Sequence, residues 1–297
     1  MKSSVQRRSL LLAATVLPLA SACTAWSEKG ASSSLSAEAQ LAELERASGG
    51  RIGVAGLHTG SGARFQHRAH ERFPMCSTFK LMLAAAVLER SAKDASLLSR
   101  QLSYGKSDLI ANSPVTEKHV ATGMNVADLC AATIQYSDNA AANVLLKLLG
   151  GPPEVTAFSR RIGDQTFRLD RTEPELNTSI PGDLRDTTTP AAMSDSVQRL
   201  VLGDALGAPQ RDQLKTWLLG NTTNKERFLA GVPAGWKVGD KTGGGSYGSN
   251  NDVGVLWPPA GAPLVLSVYL TFPEKDAKTR NDVVASATRI AVTALAG

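Results

Sequence analysis

Ser77 and Lys80, in the stretch CSTFK, stand three residues apart, which puts a hydroxyl and an amine on one face of a helix. A serine is a weak nucleophile until a nearby base takes its proton. A lysine amine becomes such a base when burial lowers its pKa. Phe79 and the run from Leu81 to Leu88 are apolar on every helical face, so Lys80 interrupts what reads as a buried helix. A lysine there needs a partner. Spacing alone does not decide, because Ser103 and Lys106 repeat it. That copy contains Gly105 and opens no apolar helix, so it reads as surface loop.

Other segments carry chemistry of the same kind. Ser137-Asp138-Asn139 stands where another apolar helix begins, and by itself it reads as a helix cap. Ser249-Asn250-Asn251 repeats serine-x-asparagine in what reads as a polar turn. Lys241-Thr242-Gly243-Gly244-Gly245 closes an expected strand, where glycines let a ligand approach the backbone. The order required of a phosphate-binding loop is absent. Residues 171–186, RTEPELNTSIPGDLRD, lack periodicity, and so long an irregular loop is often functional. Arg171 and Asp186 are placed to clasp its ends as an ion pair. His58, His67, His70 and His119 follow no metal-ligand spacing and read as surface residues, so no metal or other cofactor is expected.

The elements that must position these groups follow from pattern. Residues 36–50 read as a helix stopped by Gly49-Gly50, and residues 51–69 as a hairpin about Thr59-Gly60-Ser61-Gly62. From 72 to 220 the pattern is helical, with helices at 77–91, 125–135, 138–149, 153–162 and 190–202. WKVGDKTGG, DVGVLW and PLVLSVYLTF read as an antiparallel meander, and 279–296 as a closing helix. The expected fold is α/β: a five-stranded antiparallel sheet built from both ends of the chain and flanked by terminal helices, three layers in all. The expected α/β domain is 36–71 with 221–297, and the inserted all-helical domain is 72–220, with a cleft between them.

The 297 residues carry a formal charge of +5, and removing Lys2, Arg7 and Arg8 leaves +2. With no basic-aromatic stripe, nucleic acid is not an expected partner. Residues 1–22 combine a basic start with an apolar run too short to span a bilayer, an export signal. Arg7-Arg8 suits either a twin-arginine or a general secretory signal. Ala20-Ser21-Ala22-Cys23 fits both a signal-peptidase site and a lipoprotein box that would lipidate Cys23. Residues 23–35 read as a Ser-rich tether. The remaining cysteines, Cys76 and Cys130, suit either one disulfide or two buried thiols.

Taken together and in order, Ser77-x-x-Lys80, Ser137-Asp138-Asn139, Glu173-Pro174-x-x-Asn177 and Lys241-Thr242-Gly243 resemble the class A serine β-lactamases over residues 36 to the C-terminus. RFPMCSTFK, LCAATIQYSDNAAAN and DTTTPAAM resemble most the chromosomal Pen-type members, which are exported lipoproteins. The resemblance implies a β-lactam hydrolase with Ser77 as nucleophile and an oxyanion hole of the Ser77 and Gly244 N–H groups. It implies that Ser137 protonates the departing nitrogen, with Lys80 and Lys241 nearby, and that Glu173 and Asn177 hold the deacylating water. Which of Lys80 and Glu173 takes the first proton is open. Lys241, Thr242 and Gly243 would bind the substrate carboxylate, Asn139 the side-chain amide, and Glu173–Pro174 would be cis. Implied partners are β-lactam antibiotics and mechanism-based inhibitors, with the chain a monomer in the periplasm or on a lipid anchor.

Some positions depart from that pattern. Asn250 stands where many members have a carboxylate-binding arginine, and Arg227 matches the alternative position. Asn112 replaces an aromatic at the cleft rim. The family's usual partners for Cys130 and Cys76 fall at Ala84 and Gly245, which implies free thiols. The rival readings are a penicillin-binding D,D-peptidase, which lacks the deacylating glutamate, and a non-catalytic exported lipoprotein.

Overall fold

The computed structural model describes residues 35–296. The expected signal segment, Cys23 and the tether up to residue 34 lie outside the described residues. Ser36 caps α1 (Ala37–Ser48) by accepting from Ala39 N at 3.2 Å, and Gly49, with φ +72°, ends it. The hairpin β1 (Arg51–His58) and β2 (Arg64–His67) follows, then the short β3 (Phe73–Pro74). A 3-10 turn, Cys76–Thr78, leads into α2 (Phe79–Ser91). The short pair β4 (Gln101–Leu102) and β5 (Met124–Asn125) precedes α3 (Val126–Gln135), α4 (Asn139–Leu149) and α5 (Pro152–Arg161). Then come β6 (Thr187–Thr188), α6 (Pro190–Val201), α7 (Ala208–Leu219) and α8 (Phe228–Gly231). The chain closes with β7 (Lys237–Gly244), β8 (Asn250–Trp257), β9 (Leu264–Thr271) and α9 (Asn281–Ala296).

The main sheet is five-stranded and antiparallel, in the order β2-β1-β9-β8-β7. β8 and β9 are buried at seven successive positions each, because both faces of the sheet are covered. On one face Val54, Leu256, Leu266 and Val268 pack with Leu41 of α1 and Val284, Ala287 and Ala291 of α9. On the other face Val253, Val255, Val265 and Tyr269 join a buried cluster that continues into α2, α3, α4 and α7. α6, within the expected helical stretch, packs on the sheet against β1, β8 and β9 and so supplies the third layer.

α2 is the axis of the helical part. Every residue from Phe79 to Leu88 is buried, including Lys80. Truncating Leu81 or Leu83 to alanine there costs about 2–5 kcal/mol. The expected helix from Ser77 begins instead with one tight 3-10 turn, fixed by Thr78 Oγ1 donating to Met75 O at 2.8 Å. This turn holds Ser77 at the edge of the core.

Candidate active site

Met75 N donates to Asp186 O at 2.9 Å, which ties the Ser77 turn to the end of the 171–186 loop. Cys76, just before Ser77, adopts φ +46°, a left-handed conformation costly for a residue with a side chain. The end of β7 passes close to the same turn. A Cβ on Gly243 would lie 2.8 Å from Met75 O and 3.2 Å from Thr78 N. One on Gly245 would lie 2.7 Å from Asn177 O and 2.8 Å from Cys76 Sγ. Only glycines fit, and they bring Gly244, between them, alongside the turn of Ser77 and the loop of Asn177.

Two groups converge on one oxygen. Ser77 Oγ donates to Glu173 Oε1 at 3.2 Å, and Lys80 Nζ lies 3.0 Å from the same atom. The Lys80 and Glu173 side chains are both fully buried. Lys80 Nζ also donates to Ser137 O at 2.8 Å, Ser137 Oγ at 3.3 Å and Asn139 Oδ1 at 2.5 Å. Lys241 Nζ reaches Ser137 Oγ from the other side, at 3.2 Å, and its own strand at Thr242 O, at 2.7 Å. A continuous polar path therefore runs from Glu173 through Ser77 and Lys80 to Ser137 and Lys241.

Burial sets the protonation of this path. It pushes the Lys80 amine below the ordinary lysine range, while the Glu173 carboxylate pulls it back up. Burial and the charge of Lys80 bring Lys241 down to about 7. Both amines are thus closer to releasing a proton at neutral pH than a solvated lysine is.

Within Ser137-Asp138-Asn139 the roles divide. Asp138 is the cap of α4, accepting from Ala141 N at 2.9 Å, and it also binds Val115 N and Thr116 N at 2.9 Å each. Ser137, at φ +57°, and Asn139 turn towards Lys80. Asn139 Nδ2 donates to Ala111 O at 2.9 Å, and Asn112 Nδ2 to Ser137 O at 2.9 Å.

The 171–186 loop is braced at its ends and its middle. Arg171 Nε lies 2.5 Å from Asp186 Oδ2, and Asp186 Oδ1 accepts from the backbone of Asp170 and Arg171. The Glu173–Pro174 peptide is cis. Asn177 Nδ2 donates to Glu173 Oε2, and Asn177 Oδ1 is buried with no donor among the described residues. Asn143 holds Glu173 by its backbone, accepting from Glu173 N at 3.0 Å and donating to Glu173 O at 2.8 Å.

Asn143 is absent from the sequence-based set. Its signal was its place four residues after Asn139 in α4, which puts both on one helix face. Thr223 is also absent from it; its hydroxyl meets Thr242 Oγ1 at 2.5 Å. No local pattern marks it, since it lies in a loop before α8. Arg227 sits half-buried beside the ends of β7 and β8, with Nη1 donating to Gly243 O and Asn251 O at 2.9 Å each.

Two expectations need correction. Ser249-Asn250-Asn251 is not a polar turn. All three are fully buried, Asn250 opens β8, and Asn251 Nδ2 donates to Pro74 O and Met75 O. The pattern hid this because Asn251 satisfies backbone beneath the Ser77 turn, and Asn250 Nδ2 donates to Asn281 Oδ1, rather than to water. His67 is not a plain surface residue either: it is half-buried, with Nε2 2.6 Å from Glu45 Oε2. Cys76 and Cys130 are free and buried. Burial pushes the Cys76 thiol up to about 12, and Cys130 above the ordinary thiol range. Neither is a ready thiolate.

The model of the β-lactamase enzyme family matches residues 36–295, a span that contains every group described above. The chain belongs to the class A β-lactamases. β-Lactamase OXY-1 of Klebsiella oxytoca is 51% identical over 290 residues, 98% of each chain. The carbapenem-hydrolyzing β-lactamase KPC of Klebsiella oxytoca is 54% identical over 293 residues, again 98% of each. The crystal structure of a β-lactamase from Desulfarculus baarsii superposes with a TM-score of 0.85 at 55% identity, covering 86% of this chain and 97% of that one. The enzyme is thus a hydrolase of β-lactams.

Proposed function

We propose that the enzyme opens the lactam amide of penicillins and cephalosporins through an ester on Ser77. The observation that supports this most is the convergence of Ser77 Oγ and Lys80 Nζ on Glu173 Oε1. Ser77 Oγ attacks the lactam carbonyl as its proton passes to Lys80 or Glu173, and the N–H groups of Ser77 and Gly244 receive the developing oxyanion. The C–N bond breaks and Ser137, between Lys80 and Lys241, protonates the nitrogen. The proton taken from Ser77 passes through Lys80 to restore the Ser137 hydroxyl, which leaves Glu173 ionised. Water held by Glu173 Oε2 and Asn177 Oδ1 then gives a proton to Glu173 and attacks the ester. Ser77 takes a proton back, and the ring-opened acid leaves.

The substrate carboxylate would lie against Lys241, Thr242, Gly243 and Arg227, and the side-chain amide against Asn139. Asn139 Oδ1 holds Lys80 and Nδ2 holds Ala111 O, so substrate binding there exchanges one bond for another. Mechanism-based inhibitors would acylate the same serine. Residues 1–22 would export the enzyme, by the twin-arginine or general route, and lipid on Cys23 would anchor a monomer in the periplasm.

A β-lactam panel with wild type and Glu173→Ala tests this reading. Wild type should turn over, and Glu173→Ala should slow deacylation roughly 100- to 10,000-fold and accumulate an acyl-enzyme visible by intact mass. A stoichiometric burst without turnover by wild type would assign the chain to the D,D-peptidases instead.

A further inference from the structure

Two buried acids have no part in the path from Glu173 to Lys241. Asp240 precedes Lys241 on β7, and Asp252 lies on β8. Both are fully buried. Asp240 pairs across the sheet with Gly254, and Asp252 is two residues away on that strand, so the two carboxyls share one face. They lie within hydrogen-bond reach of each other. Their donors are unequal. Asp240 accepts from Asn221 Nδ2 at 3.0 Å and Asn224 Nδ2 at 2.6 Å. Among the described residues, Asp252 Oδ2 accepts only from Phe228 N, at 3.1 Å, and Asp252 Oδ1 is buried with no donor.

We infer that Asp240 and Asp252 hold one proton between them, on Asp252 Oδ1 and donated to an ionised Asp240, and that the pair positions the substrate-carboxylate end of the site. Two adjacent carboxylates stripped of water cannot both stay ionised. The proton rests on the acid with fewer donors, and it gives the orphaned oxygen a partner. Burial and the Asp240 charge hold Asp252 well above the ordinary aspartate range, in keeping with this geometry. The charged groups that face the pair are Lys241 and Arg227. While Lys241 is protonated, two cations face one shared negative charge, and the positive excess suits a substrate with one carboxylate.

The pair also reaches that end through hydrogen bonds. Ionised Asp240 fixes the Asn221 amide with its N–H towards Asp240, so Asn221 Oδ1 faces Thr223 and accepts its hydroxyl proton at 2.8 Å. Thr223 has then spent its only proton, so in the 2.5 Å contact Thr242 is the donor. A substrate carboxylate takes the Thr242 proton in place of Thr223. Asp240, Asn221 and Thr223 are positioning residues, and the role of Thr242 rests on the function proposed above.

A neutron structure of resting wild-type enzyme near pH 7 tests the shared proton without substrate. One deuteron on Asp252 Oδ1, directed at Asp240, is expected; no deuteron on either carboxyl would overturn the inference. The positioning role is read with benzylpenicillin. Asp240→Ala should raise KM about tenfold with little change in kcat, since a charge-anchored bond is lost at binding. Asp252→Asn, whose amide N–H replaces the shared proton, should restore most of the affinity that Asp252→Ala loses. An unchanged KM in Asp240→Ala, or Asp252→Asn no better than Asp252→Ala, would overturn that role. If wild type turned over no β-lactam, the proposed function would fail while the neutron result stood alone.

Discussion

Two segments of this chain place a lysine three residues after a serine. Ser77 and Lys80 lie at the head of a helix buried on all sides, and Lys80 touches Glu173, Ser137 and Asn139. Ser103 and Lys106 are both exposed, in an irregular stretch that enters the 3-10 turn Lys106–Asp108. Water solvates the second amine. In the first, burial destabilises the charged amine, and the Glu173 carboxylate beside it, together with Asp138, works against that. Reactivity here comes from the surroundings of a motif rather than from the motif.

The largest expected effects break this contrast. Lys80→Met should cut turnover roughly 100- to 10,000-fold in steady-state assays. It should also cost about 3–5 kcal/mol in denaturant unfolding, because Glu173 is left buried and unpaired. Adding Glu173→Gln to Lys80→Met should return much of the stability and none of the activity. Lys106→Met should leave both unchanged to within about 0.5 kcal/mol. Equal effects at Lys80 and Lys106 would remove the distinction between the two segments.

Next in size is the brace of the 171–186 loop. Asp186→Ala removes the acceptor of three donors and should cost about 3 kcal/mol. Glu173 would then be held less firmly, and acyl-enzyme should persist longer in stopped-flow traces than in wild type. Arg227→Ala should act on binding, raising KM for penicillins about tenfold while kcat stays near wild type. An unchanged KM would remove Arg227 from the substrate cradle.

The smallest expected effect is one of pH. Lys241 titrates at about 7, so it is cationic below that pH and neutral above it. The affinity for an anionic penicillin should therefore fall, and KM rise several-fold, between pH 6 and pH 9. A flat KM across that window would mean that substrate binding holds the Lys241 proton. Lys106→Met should leave the profile where it is.

Much of the framework was legible because its signals are local. Ser36 and Thr189 announce helix starts, Pro190 sits at a first helical position, and the three C-terminal apolar runs form one antiparallel meander. The members of the site were legible too, as four ordered segments. Their weighting was not. Ser137-Asp138-Asn139 reads by itself as a helix cap, and Asp138 is one, while Asn139 turns to Lys80; Asn143 and Thr223 lie outside every motif and touch the site directly. Ser249-Asn250-Asn251 looked solvated, and it is buried beneath the Ser77 turn.

The sequence by itself determined the apolar helix around Lys80, the strands from both chain ends, and the identity of the acid, amine and hydroxyl groups. These depend on periodicity and on residues near in sequence. Only the tertiary structure decided that Glu173 faces Ser77, that two lysines flank Ser137, and that Asp240 and Asp252 lie side by side. Those meetings join residues 96, 104 and 12 positions apart. They exist because the folded core removes water and leaves each buried polar group only the partners that packing supplies.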